Sequence, residues 1–74
     1  SVGQLTIEVS PWAAVFIDGV PRDTIPPQER PYVLAPGRYR LSLDHPVLGR
    51  YDTEVRLGAG ERRTLRFNLY DLLR

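Results

Sequence analysis

Three segments in the second half of this chain alternate apolar and polar residues with a period of two. Tyr39, Leu41 and Leu43 alternate with Arg38, Arg40, Ser42 and Asp44. Tyr51, Thr53, Val55 and Leu57 alternate with Asp52, Glu54 and Arg56, and Leu65, Phe67 and Leu69 with Thr64, Arg66 and Asn68. Successive side chains of a strand point to opposite faces, so each segment carries one apolar and one charged face. That is the mark of antiparallel strands wetted on one side. The first half repeats the pattern. Leu5, Ile7 and Val9 alternate with Thr6 and Glu8, and Val15 and Ile17 with Ala14 and Phe16. Tyr32 and Leu34 sit in a short segment after the proline-rich stretch Ile25-Pro26-Pro27-Gln28-Glu29-Arg30-Pro31. The expected core is Leu5, Ile7, Val15, Ile17, Leu41, Leu43, Val55, Leu57, Leu65 and Phe67. A helical period is absent, except for one turn's worth at Tyr70-Asp71-Leu72-Leu73.

The punctuation between these segments is as regular as the segments. Asp18-Gly19 is the two-residue signal of a tight hairpin. Pro36-Gly37 fits the central pair of a type II turn, with proline fixing φ and glycine taking the left-handed position. Gly58-Ala59-Gly60-Glu61 reads as a hairpin loop, and His45-Pro46-Val47-Leu48-Gly49 as a longer connection capping one end of the core. Short strands with turn signals about every 8–12 residues imply an all-β fold, a small antiparallel β-sandwich of about six or seven short strands. Proline cannot donate to a ladder, so the Pro26-Pro27 and Pro31 region reads as a blunted edge. The open pairing edge is then expected at the first strand, Gln4 to Ser10, or the last, Arg63 to Leu69. Arg40, Glu54 and Arg66 are expected on the wet faces, pairing across strands.

At 74 residues the chain is expected to form a single domain, residues 1–74, cut from a larger protein. Hydrophobic residues make up 42% and charged residues 26%, a globular rather than a disordered balance. Ten arginines, with no lysine, are nearly cancelled by nine carboxylates, leaving a net charge of +1. Nucleic-acid binding calls for a clear basic excess, so no nucleic-acid partner is expected. The apolar runs are far shorter than a membrane span, and no direct membrane insertion is expected of this segment. With no cysteine there is neither a disulfide staple nor a thiolate metal site.

An ordered series of short motifs runs almost from end to end. Pro11-x-Ala13-x-Val15-x-Ile17-Asp18-Gly19 is followed by Thr24-x-Pro26, then by Leu34-x-Pro36-Gly37-x-Tyr39. Pro46-x-x-Gly49-x-Tyr51 and Ala59-Gly60-Glu61 complete it. In this order and spacing the chain resembles a PEGA domain over roughly Gln4 to Leu69, although each motif alone is common. Two positions depart from the family pattern. Trp12 stands where a small residue is usual, and Asp23 where glycine is frequent before Thr-x-Pro. The resemblance implies a small β-sandwich of bacterial and archaeal proteins, often surface-exposed or appended to larger chains. The Pro11-Trp12-Ala13 form is similar to copies near the C-terminus of bacterial serine/threonine protein kinases. This chain itself contains no kinase motif.

The residues that carry chemistry are sparse. His45 is the single histidine and reads as a locally bonded loop residue rather than a ligand. Ser10 and Ser42 lack an activating neighbour in sequence. Asp18, Asp23, Asp44, Asp52 and Glu54 supply hard oxygens without the spacing of a calcium loop. Gly58-x-Gly60 precedes neither a helix nor a lysine, so it is not a phosphate cradle. No catalytic, cofactor-binding or metal-binding residue is assigned, and the chain is not expected to be an enzyme. The candidate interaction surface is Trp12 with Phe16. If Val15 and Ile17 point inward, Phe16 points outward from the same strand, and aromatics anchor interfaces well. The alternatives are that Trp12 lies across the open end of the sandwich and that Phe16 is covered by a loop or neighbouring strand.

The expected function is therefore a non-catalytic accessory module mediating protein interaction or sensing. Its partners would be other domains of the parent chain or a second copy. What the resemblance implies is the C-terminal or extracytoplasmic part of a bacterial serine/threonine protein kinase, at the cell envelope. The alternative is a cell-envelope structural module, or one that binds glycan or peptidoglycan.

Overall fold

In the computed structural model, which describes residues 1–23 and 31–73, the alternating segments are strands of two facing sheets. The Thr24-x-Pro26 motif and the Pro26-Pro27 edge lie outside the described residues. The strands in chain order are β1 (Gly3–Ser10), β2 (Ala14–Ile17), β3 (Val20–Pro21) and β4 (Tyr32–Leu34). They continue with β5 (Gly37–His45), β6 (Gly49–Leu57) and β7 (Arg62–Asn68), and the chain closes with a single helical turn, α1 (Leu69–Leu72). One sheet has the order β4-β1-β7 and the other β3-β2-β5-β6, so the fold is an all-β sandwich, with seven strands among the described residues.

The four-stranded sheet follows from local chemistry. Asp18 and Gly19 have φ of 52° and 79°, which two-residue hairpin turns of the primed type require at both central positions. They turn β2 back on β3, pairing Ile17 with Val20 and Phe16 with Pro21. The β2–β5 register sets Val15 opposite Leu43 and Ile17 opposite Leu41, and β5–β6 sets Tyr39 opposite Val55. All the inward positions of the alternation therefore fall on one face. Of the ten expected core residues, eight are buried, from Leu5 through Leu57, joined by Ala13, Leu34 and Leu69. Leu65 and Phe67 are only half-buried, because their strand is an edge and has no neighbour on one side.

Several expectations change. β1 is the middle strand of its sheet, between β4 and β7, so it offers no open edge; of the two candidates only the last strand is one. β1 and β7 run parallel, from Gln4 opposite Arg62 to Ser10 opposite Asn68, in a sandwich whose other pairings are antiparallel. A parallel pair needs a crossover. Gly58-Ala59-Gly60-Glu61 is accordingly not a hairpin loop: it carries the chain from β6 in one sheet to β7 in the other. Its own turn closes with Glu61 N–H donating to the Gly58 carbonyl at 3.2 Å. It then docks on β1, with Gln4 N–H donating to the Glu61 carbonyl at 2.7 Å and Gly60 N–H to the Val2 carbonyl at 3.1 Å.

Gly37 opens β5 with a φ of 153°, far from the roughly 80° that a type II turn places on its third residue. The position still requires glycine, since side-chain-bearing residues rarely take this conformation. The preceding bend is tied instead by the Tyr39 hydroxyl, which donates to the Ala35 carbonyl. Gly37→Val is expected to cost about 1–3 kcal/mol through backbone strain alone, as nothing crowds the added Cβ. Urea melts that place the variant within about 0.5 kcal/mol of wild type would remove glycine's role there.

The alternation of β7 does not carry on through Leu69. The Asn68 side chain accepts from Asp71 N–H at 3.3 Å and caps a helical turn, which drives Leu69 fully into the core. Among the described residues no helix is long and apolar enough to cross a membrane.

Candidate functional site

The outer face of the four-stranded sheet carries the first candidate residue. Phe16 lies there by the parity of β2, since Val15 and Ile17 on either side are buried. Its cross-strand neighbours are Pro21 on β3 and Ser42 on β5, and Ser42 in turn faces Asp52 on β6. The row thus passes from an apolar pair to a polar one. Phe16 is half-buried: the sheet supports it from below and from its sides, and some of its ring remains open to solvent.

Beside Phe16 the polar side chains form one network. The Arg50 guanidinium donates to the Asp52 carboxylate at 2.9 Å and to the Ser42 hydroxyl at 3.1 Å. Hydrogen-bonding groups beside it, Ser42 first and then Arg50, lower the Asp52 pKa below its ordinary value. The network explains a residue that alternation alone misplaces. Ser42 is on the wet face yet only 1% exposed, because Phe16, Asp52 and the Arg50 side chain surround it. Its hydroxyl accepts from Arg50, so burial costs it little. One row along the same face, Arg40 sits opposite Glu54, with the Asp18 carboxylate accepting from Arg40 N–H at 2.7 Å.

Arg66 does not join that face. It belongs to the other sheet and binds Glu8 of β1 at 2.6 Å, so the expected three-way charge row is split between two surfaces.

Trp12, the second candidate, occupies the β1–β2 turn, where the Ser10–Pro11 peptide is cis. Its ring packs on His45 with centroids 4.4 Å apart and planes tilted by 46°. His45 is held in turn by the chain that follows it. Its Nδ1 accepts from the backbone N–H of Val47 and of Leu48, both at 3.1 Å, so the neutral ring carries its hydrogen on Nε2. The connection after His45 caps the core only through Leu48, while Val47 is 84% exposed. Trp12 and Phe16 are thus placed by different devices, one at an end of the sandwich and the other on a sheet face. The ring contacts among the described residues are Trp12–His45 and Tyr51–Phe67, so Trp12 and Phe16 are not stacked on one another.

Among the described residues, no group of three or more His, Asp or Glu side chains converges as a metal site would require. What this surface can do chemically is recognise: it combines a supported aromatic ring, a rigid charge-assisted network and a rim of mixed charge. In comparison with known proteins, no family model matches the chain and no curated protein matches it.

Proposed function

We propose that this chain is a non-catalytic β-sandwich module of PEGA type that presents a fixed surface to another protein domain or to a second copy. The observation that carries the reading is Phe16. A large aromatic is held on the outer face of a sheet, away from the core, beside a buried Ser42 that accepts from Arg50. Interface anchors have this form: an aromatic side chain with low conformational entropy, ringed by polar groups that exclude water when covered. The Pro11-Trp12-Ala13 form supports a place in a bacterial serine/threonine protein kinase, as the region lying beyond the catalytic domain at the cell envelope. A glycan surface would call for a flat aromatic open to solvent. Trp12 instead sets its ring against His45, which favours the protein-interaction reading over the glycan one.

Phe16→Ser tests this. The variant is expected to melt within about 4 °C of wild type, as a surface change of up to about 0.5 kcal/mol does in a domain of this size. Its self-association, or its binding to the remainder of the parent chain, is expected to weaken by at least about tenfold. Sedimentation and calorimetry measure both. Retained folding with unchanged association makes Phe16 ordinary surface and rejects the reading. Unfolding would mean that Phe16 belongs to the core.

A further inference from the structure

Four strands end a sheet, and they are not equivalent. β3 has two residues, one of them Pro21, and β4 has three. Both are too short to template a partner strand. β6 is long, but its outward row Arg50, Asp52, Glu54, Arg56 mixes both signs, and Arg63 already reaches across from β7 to donate to the Arg56 carbonyl at 2.8 Å. A row of mixed charge is one way sheet edges are protected.

β7 is different. It has seven residues with no proline and no glycine, and among the described residues it pairs on one side only, with β1. Alternate residues therefore aim N–H and C=O groups away from the sheet. Its outward row carries Arg62 and Arg66 and no carboxylate, with Arg66 paired to Glu8 of β1, while Arg63 has the inward parity of Leu65. On its inner side Leu65 and Phe67 are only half-buried, and Phe67 meets Tyr51 of β6 with ring centroids 5.9 Å apart, so an apolar strip lies along the open side of the sandwich. Unpaired backbone, a cationic outer row and an uncovered apolar inner row occur together on this one strand.

We propose that β7 takes up an extended acidic segment of a partner protein as an added strand, enlarging its sheet from three strands to four. The side-chain pattern of that segment follows from the register. Arg62 and Arg66 are both on the outer face, opposite Gln4 and Glu8 of β1, and four residues apart. The incoming strand therefore carries Asp or Glu at two positions four apart, with a small polar residue between them opposite Thr64. The apolar positions that cover Leu65 and Phe67 lie one between the two acids and one just beyond the acid opposite Arg66. A second copy of this chain fits less well, because pairing β7 with β7 would bring two outward arginines from each copy to one seam. This surface lies on a different sheet from Phe16, and the proposal stands whether or not Phe16 is an anchor.

The probe is a synthetic peptide with the order Val–acid–Val–Thr–Val–acid–Val, which meets Leu65 and Phe67 in either strand direction, flanked by neutral residues and compared with its lysine counterpart. In an amide NMR titration at low salt, the acidic peptide is expected to saturate and to shift residues of β7 while leaving β6 unmoved. Its affinity should fall as salt rises, since the pairs are exposed. Arg62→Glu is expected to weaken it about three- to tenfold. Arg62 is the variant of choice because Arg66 holds Glu8, and reversing Arg66 would also disturb the fold. N-methylating the peptide on alternate amides is expected to abolish binding for one of the two alternations and spare the other, as only one side of an added strand faces β7. The proposal is overturned by equal binding of the lysine peptide, by shifts centred on β6, or by indifference to both methylation patterns. Absence of saturation at millimolar peptide, or a concentration-dependent dimer that shields β7 in place of the peptide, overturns it equally.

Discussion

Leu43→Ala is expected to remove a large share of this protein's stability. Leu43 is 0% exposed and lies in the register where Val15 of β2 and Tyr51 of β6 flank it on the same inner face. Truncation removes the transfer free energy of the buried atoms and leaves a cavity that two paired sheets close poorly, at a cost of about 2–5 kcal/mol. A domain of this length has a total stability of roughly 4–11 kcal/mol, so the loss is a large share of the whole. Urea melts at 25 °C should show the midpoint collapsing while the slope, set by the surface exposed on unfolding, stays the same. Phe67→Ala is the comparison. Phe67 sits on an edge strand and is half-buried, so its loss is expected to fall at or below the lower end of that range. If the Phe67 variant proves the weaker of the two, this order of burial is wrong.

Gly3→Ala is expected to destabilise the fold by about 1–3 kcal/mol, although alanine is the smallest change available. Gly3 is buried at the start of β1, and an added Cβ would lie 2.8 Å from the Gly58 carbonyl oxygen and 2.8 Å from Leu57 Cγ. The carbonyl belongs to the turn that passes the chain between sheets, and Leu57 is itself a core residue. Neither can retreat without disturbing the β6–β7 crossing. Denaturant melts measure the effect, and a difference within about 0.5 kcal/mol of wild type would mean that this crossing is looser than its contacts imply.

How far the fold could be read from the chain depended on which forces are local. The inward set Leu41, Leu43, Val55 and Leu57 was legible because parity within a strand needs no knowledge of its neighbours. The adjacency of β1 and β7 was not, because a period of two states which face is wet and is silent on which strand lies alongside. Gly58 to Glu61 carries the residue types of any tight turn, and nothing in them distinguishes a hairpin from a passage between sheets. Leu69 continues the alternation in sequence, yet the capping side chain of Asn68 winds it into a helical turn. For the candidate surface, the outward direction of Phe16 followed from the same parity. The seating of Trp12 on His45 joins residues far apart in sequence, so only the folded chain shows it. Ser42 is the sharpest miss: its parity is that of a solvated residue, and the cross-strand network with Arg50 and Asp52 buries it.

The parallel alignment of β1 with β7 also determines how this module would carry a mechanical load. The chain enters the sandwich at the Gly3 end of β1 and leaves it past Asn68, at the opposite pole. Between those points seven residue pairs, from Gln4–Arg62 to Ser10–Asn68, span roughly 20 Å. Tension applied to the two ends slides one strand along the other, so all the bonds of the ladder resist together. In an antiparallel hairpin pulled from its open end, by contrast, the bonds break in succession. Flanking domains would hang in line at opposite ends of a stiff link, and a tug from either would reach the other before the core gave way.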